Sequence, residues 1–152
     1  MKQITLRPAS SADSEFCYSV KRAAFKGYVE QVWGWDEEEQ RRLHETRFVA
    51  QNYRMISADS KDVGFIAVAR ASDCLNLNQL FIHPNHQGQG IGEACMAIVF
   101  EEAESLGLPV KLRVLKVNPR ALAFYRRLGF EVVGETDTHD LLEFEPQPSP
   151  NK

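Results

Sequence analysis

The sequence has 152 residues, 43% hydrophobic and 26% charged, a balance that supports one packed globular domain and excludes disorder over most of the length. Eighteen Lys and Arg against 21 Asp and Glu leave a net charge of −3, which offers no general basic field for nucleic acid. No window approaches the ~18 apolar residues of a membrane span, and the first residues lack the apolar run of a secretory signal.

Residues 3–7 alternate and read as a first strand. Ser10 and Asp13 fit a capping box, and Phe16, Cys17, Val20 and Ala24 follow at helical spacing, which predicts a helix to about Phe25, closed by Gly27. The aromatic stretch Tyr28–Trp35 is then a connecting segment. Asp36 caps a second helix with Glu39 at the box position, and the thin apolar face of that helix (Leu43, Phe48, Val49) places it on the surface. Residues 53–57 and 62–70 read as two strands joined by a turn at 58–61. A third run, Cys74 to Ile82, changes phase: Leu75 and Leu77 alternate with Asn76 and Asn78, and then Leu80, Phe81 and Ile82 are all apolar. One extra residue near Asn78 or Gln79, a β-bulge, repairs the phase.

The loop His83–Gly92 leads into a helix with a broad buried face that ends at Gly107. A strand follows at 110–115. Asn118-Pro119 opens another helix, with cap and first-position proline in the preferred order, and Gly129 closes it. Residues 130–134 and 138–145 are the last strands, and the proline-rich 146–152 reads as a disordered tail. The expected fold is α/β (α+β): a mixed, mostly antiparallel sheet of about seven strands, helices on both faces, a bulged central strand, and a single domain over 1–145. The three cysteines, Cys17, Cys74 and Cys95, are odd in number and widely spaced. They read as buried hydrophobes of a reducing compartment, so neither a disulfide framework nor a metal site is expected and the location is cytoplasmic.

Chemistry concentrates in the glycine-rich loop. Backbone N–H groups at a glycine-opened helix start form an anion site, and glycine lets phosphates approach the backbone. A Walker loop is excluded, because this one ends Gly90-Ile91-Gly92-Glu93; a dinucleotide fingerprint starting at Gly88 fails at Glu93. Taken alone, the glycines fit a tight strand–helix connection equally well. One strand downstream lies Asn118-Pro119-Arg120-Ala121-Leu122-Ala123-Phe124-Tyr125-Arg126-Arg127-Leu128-Gly129-Phe130.

Together, the Gln87-Gly88-Gln89-Gly90-Ile91-Gly92 loop and this second segment resemble the GNAT superfamily of acyl-coenzyme A-dependent N-acetyltransferases, as do the element order and the Arg7-Pro8-Ala9 opening. The resemblance covers about residues 3–145. It implies a co-substrate, acetyl-CoA, whose pyrophosphate is held by Gln87, Gly88, Gln89, Gly90, Ile91 and Gly92. It also implies a pantetheine arm that pairs with the backbone of Leu80, Phe81 and Ile82 and meets Asn118, Ala121 and Phe124. Tyr125 takes the position of the family's usual general acid; a phenol of pKa near ~10 is protonated at neutral pH and can reprotonate a thiolate.

Some family members carry a base on the bulged strand, where this chain has Asn76, which cannot take a proton. Glu30, His83 and His139 are the other candidates, each acting through water. Tyr28, Glu30, Trp33 and Trp35, with Asn76 and His139, are the acceptor-site candidates, because the family commonly covers the acceptor with the segment between its first helices. Trp33 and Trp35 equally fit a role anchoring the second helix, and Cys95, at an apolar helix position, reads as core rather than as an acyl-cysteine nucleophile. The implied reaction is direct acetyl transfer from acetyl-CoA to the primary amine of a small molecule or peptide. The alternative is a non-catalytic acyl-CoA-binding sensor on the same fold. Neither nucleic acid nor membrane is an expected partner; homodimers are common in the superfamily.

Overall fold

The sequence order becomes β1 (Ile4–Pro8), a 3-10 turn (Ser11–Asp13), α1 (Ser14–Val32), α2 (Glu37–Arg47), β2 (Tyr53–Ala58), β3 (Lys61–Arg70), β4 (Leu75–Ile82), a second 3-10 turn (Pro84–His86), α3 (Ile91–Leu106), β5 (Val110–Leu115), α4 (Pro119–Arg127), β6 (Glu131–Glu135) and β7 (His139–Phe144) in the computed structural model. It describes residues 3–49 and 52–147. Residues 148–152 of the expected tail lie outside the described residues; 146 and 147 have no regular structure.

The strands form a seven-stranded sheet in the order β1-β2-β3-β4-β5-β7-β6. The β4–β5 pair is parallel, whereas the β1–β2, β2–β3, β5–β7 and β6–β7 ladders are antiparallel. The expected mixed, mostly antiparallel sheet is therefore present. The placement of β7 between β5 and β6 has no sequence signal.

Two compact units divide the chain, one of residues 1–67 with 79–95 and one of 68–78 with 96–152. In the first, Cys17 and Val20 of α1 pack on Tyr53, Met55, Phe65 and Ala67 of β2 and β3, with Phe16, Phe48 and Phe81 around them. Arg7 of β1 bridges Asp13 at 3.0 Å and Asp62 at 2.9 Å, and the Ser10–Asp13 capping box forms as the spacing predicts. The β2–β3 turn runs through Asp59 and Ser60 at φ 49° and 71°, the left-handed pair that matches the twist of a two-residue hairpin. In the second unit Phe100 of α3 stacks on Phe144 of β7 at 4.1 Å and tilts against Phe130 at 5.8 Å.

The first helix differs from expectation. It continues seven residues past Phe25 to Val32, so Tyr28 and Glu30 are helical and only Trp33–Asp36 connect α1 to α2. Glycine within a helix costs about 1 kcal/mol relative to alanine. Contacts on both sides of Gly27 outweigh that: Phe25 meets Phe81 at 5.0 Å, Val29 is buried, and Gln31 Nε2 donates to the Gly27 carbonyl. The terminator is Gly34, at φ 79°.

The bulge is present in β4. The Ala71 N–H bonds the Cys74 carbonyl, and the His83 N–H bonds the Val63 carbonyl, both at 2.9 Å. Between those bonds β3 takes eight residue steps, from 63 to 71, and the β4 side takes nine, from 74 to 83. One extra residue sits on β4, and its buried–exposed alternation breaks after Asn78.

Candidate functional site

In the first unit, β4 ends at Ile82 and the chain turns through Pro84–His86 into the glycine loop. Gly88 and Gly90 adopt φ 75° and 78°, a region closed to most side chains, and no atom lies within 4 Å of where a Cβ would stand on either. Both faces of the requirement are met: the backbone needs glycine, and the space above it is open. Ile91 and Gly92 begin α3, whose first-turn N–H groups have no intrahelical acceptor and carry the positive end of its dipole. A helix start of this kind can accept an anion.

Gln87 Nε2 donates to the Ile82 carbonyl at 2.9 Å, lashing the loop to the end of β4. A Cβ on Gly64 of β3 would collide with the Phe81 carbonyl, so glycine there is required by close strand approach. His83 Nδ1 accepts the Asn85 N–H at 3.1 Å. That bond caps the 3-10 turn at Pro84–His86.

Gln79, named from the sequence only as a bulge position, and Tyr53 were not among the expected site residues. Gln79 Nε2 donates to the Tyr53 hydroxyl at 2.6 Å, and its Oε1 is buried with no partner among the described residues. The bulge turns Gln79 toward the aromatic cluster of Tyr53, Phe48 and Phe65; a strand pattern without the shifted phase conceals this.

The acceptor candidates of α1 and the α1–α2 connection serve several ends. Tyr28 packs against Phe25 at 6.3 Å, and Glu30 is half exposed and pairs with Lys26 one helical turn back at 3.6 Å. Trp33 is 60% exposed at the end of α1. Trp35 donates its Nε1–H to Glu37 at 2.6 Å, which matches the anchoring role. Glu37 also accepts from the Tyr18 hydroxyl at 2.9 Å and from Arg22 Nε at 3.1 Å. These three donors, Trp35 first, pull its carboxyl down to about 2. On the same helix His44, also missed by sequence, is buried against Tyr18 and Phe48. It bonds the Ser14 carbonyl and hydroxyl, and burial holds it below the ordinary imidazole range.

In the second unit, Asn118 caps α4 by accepting the Ala121 N–H at 3.1 Å, with Pro119 at the first position as predicted. Phe124 and Tyr125 meet edge to face at 5.0 Å, and Tyr125 meets Phe130 likewise at 5.4 Å. Tyr125 is 9% exposed, and burial raises its phenol well above the ordinary range. It stays protonated at any physiological pH, the state a proton donor needs. Asn76 pairs in register with Lys111, and its Oδ1 accepts from the Cys74 thiol. His139 starts β7, its Nδ1 2.8 Å from the Thr138 hydroxyl. Burial and then the charge of Arg113 hold it below its ordinary range.

Cys95 is fully buried, and burial pushes its thiol up to about 12, so it has no thiolate for acyl-cysteine chemistry. Among the described residues no three His, Cys, Asp or Glu side chains gather as metal ligands, and no helix is long and apolar enough to cross a membrane.

A family model described as an acetyltransferase (GNAT) domain matches residues 44–132. A peptidyl-lysine N-acetyltransferase of Salmonella typhimurium is 30% identical over 86 residues, 57% of this chain and 54% of that protein. A mycothiol acetyltransferase of Brachybacterium faecium is 31% identical over 130 residues, 82% of this chain and 39% of that one. The chain spans about half the length of the first curated relatives it matches. In fold it is similar to the PaiA N-acetyltransferase of Thermoplasma acidophilum, solved with coenzyme A, at a TM-score of 0.78 and 19% identity over 94% of this chain and 99% of that one.

Proposed function

The chain belongs to the GNAT acetyltransferase family, and from that premise we propose that it transfers the acetyl group of acetyl-CoA directly to a primary amine, with Tyr125 as the general acid. The observation that carries the reading is the loop: two left-handed glycines under open space at the start of α3. Gln87, Gly88, Gln89, Gly90, Ile91 and Gly92 hold the pyrophosphate, and the backbone of Leu80, Phe81 and Ile82 with Asn118, Ala121 and Phe124 receives the pantetheine arm. The bound thioester supplies the acetyl group. Tyr125 Oη, protonated throughout the physiological range, passes its proton to the departing sulfur as the C–S bond breaks.

The attacking amine must be neutral. An α-amine near ~8 meets this readily, whereas a lysine near ~10.4 is neutral in only about one molecule in a few thousand at pH 7. A peptide lysine is nevertheless an acceptor to test first, since one relative is a peptidyl-lysine N-acetyltransferase. The buried free thiols of Cys17, Cys74 and Cys95 support a cytoplasmic location.

The test is two measurements on one protein. Acetyl-CoA at 100-fold its dissociation constant adds about 2.7 kcal/mol and raises the melting temperature by several degrees, with an adenine nucleotide as the control. Tyr125→Phe keeps that shift and lowers turnover, followed by thiol release, roughly 10²–10⁴-fold. No shift at millimolar acetyl-CoA removes the coenzyme site; unchanged turnover in Tyr125→Phe removes the general acid.

A further inference from the structure

We propose that Lys21, Arg47 and the hydroxyl of Tyr53 form a binding site for a carboxylate carried by the acceptor. The inference rests on the acetyltransferase reading above and names the class of acceptor.

Lys21 stands on the inward side of α1. Cys17, Lys21 and Phe25 recur every four residues and so share one side of the helix. On that side Cys17 Sγ lies 3.6 Å from Met55 Sδ of β2, and Phe25 packs on Phe81 of β4 at 5.0 Å. A half-buried lysine therefore occupies a position where α1 otherwise sets apolar groups against the strands. Burial, and then the like charge of Arg47, lowers its ammonium to about 8. Arg47 ends α2, and its charge also bears on Tyr53 of β2.

Neither cation pairs with an acid among the described residues. The groups around them supply no countercharge: burial holds His44 below the imidazole range and Cys17 and Tyr53 above their own, so these stay uncharged at neutral pH. Glu15 and Glu45 act on His44 but not on Lys21, and Glu15 is taken by both terminal nitrogens of Arg41. A half-buried cation without an anion costs stability, and an anion from outside removes that cost.

The Tyr53 hydroxyl lacks the same thing. Its oxygen accepts from Gln79 Nε2 at 2.6 Å, and its own proton has no acceptor among the described residues. Turning the amide over would let Tyr53 donate but strand Nε2 instead, so one donor is left over either way. An ammonium, a guanidinium fork and a neutral O–H are donors, and a carboxylate has lone pairs for all three.

The site adjoins the strand we assign to the coenzyme. Gln79 directly precedes Leu80, and Phe25, about 6 Å along α1 from Lys21, rests on Phe81. The glycine loop, β4 from Gln79 onward, β2, α1 and α2 all belong to one compact unit. A carboxylate several bonds from the reacting amine spans that interval, with its carbon chain against Phe25 and Phe81.

The experiment compares 6-aminohexanoate with 6-aminohexanamide, two primary amines of equal length that differ in charge at the far end. Followed by thiol release, the wild type should use the carboxylate with a kcat/KM about 10-fold higher, the scale of one charge-assisted contact. Lys21→Met and Arg47→Gln should each narrow the gap through KM, and Lys21→Arg should retain part of it. Equal use of both amines by the wild type, or a gap that survives both substitutions, overturns the proposal. If neither amine is acetylated, NMR titration of the Lys21 side chain in the coenzyme A-saturated protein decides. Saturating 6-aminohexanoate should raise its midpoint by about one pH unit, a tenfold linkage, and the amide should not; a midpoint that the carboxylate leaves in place overturns the site. Lys21→Met should also melt no lower than the wild type, since it removes a half-buried charge; a lower melt would mean that the fold itself satisfies the ammonium, against the proposal. Failure of the acetyltransferase reading is separately visible as the absence of any acetyl-CoA melting shift.

Discussion

Gly34 and Gly90 have nearly the same backbone, φ 79° and 78°, and no atom lies within 4 Å of a Cβ on either. One ends α1 and the other precedes α3, and that difference in polarity separates their uses. A helix end presents carbonyls and the negative pole, so Gly34 merely turns the chain toward Asp36 and Glu37. A helix start presents N–H groups and the positive pole, so Gly88 and Gly90 open a place for an anion. Local conformation does not make a site; the direction of the helix it joins does. Around Gly34 the neighbouring polar groups are also already satisfied by one another, through Glu37 with Trp35, Arg22 and Tyr18.

Gly64 sharpens the contrast by its different reason for being glycine. Its φ lies outside the left-handed region, but a Cβ there meets the Phe81 carbonyl, a backbone atom that cannot swing aside. Gly64→Ala should have the largest effect on stability, about 3 kcal/mol or more, lowering the melting temperature by roughly 6–12 °C in a chain of this size. A melt within 2 °C of wild type would show that β3 and β4 part easily at this point.

The pair Gly34→Ala and Gly90→Ala tests the comparison itself. Each forces a Cβ into left-handed backbone at about 1–2 kcal/mol, so the two variants should melt a few degrees below wild type and close to each other. They should then diverge on adding acetyl-CoA. Gly34→Ala keeps the full ligand-induced rise and Gly90→Ala loses most of it. Equal rises in both would mean that the 87–92 loop is a structural connection and not a coenzyme cradle.

This difference also explains what was legible beforehand. A turn made of backbone leaves its mark in the sequence, because glycine reaches the left-handed conformation at the least cost: Gly88, Gly90 and the cap Asn118-Pro119 could all be placed from residue type. The bulge in β4 was legible from phase alone, since Leu75 and Leu77 cannot share a register with Leu80–Ile82. A site made of side chains leaves no such mark. Trp35 reads alike as an acceptor wall and as the anchor that donates to Glu37, and the end of α1 was misplaced because Gly27 resembles a stop until its packing on both sides is seen. Gln79 and His44 needed the fold: the first for the direction the bulge gives it, the second for α1 lying against α2.

The smallest effect concerns the satisfied side of the comparison. Glu37 is exposed, yet its three donors hold its carboxyl at about 2, below the usual 4.5. A carboxylate depressed on folding stabilises the native state above its unfolded pKa, and that contribution fades as pH falls toward the folded value. The difference in melting temperature between wild type and Glu37→Gln should therefore be constant from pH 7 down to about 5, shrink through pH 4 and 3, and level off near pH 2. The glutamine keeps one acceptor for Trp35 but cannot hold Arg22 as an ion pair, so what remains at low pH measures the neutral hydrogen bonds alone. A difference independent of pH would mean that the join of α1 to α2 rests on packing, with Glu37 a bystander to it. In either case the acetyl-CoA-induced rise should be the same in Glu37→Gln as in wild type, because the charge at this helix join is answered by its own neighbours, whereas the N–H groups after Gly90 are the ones we propose for the coenzyme's phosphates.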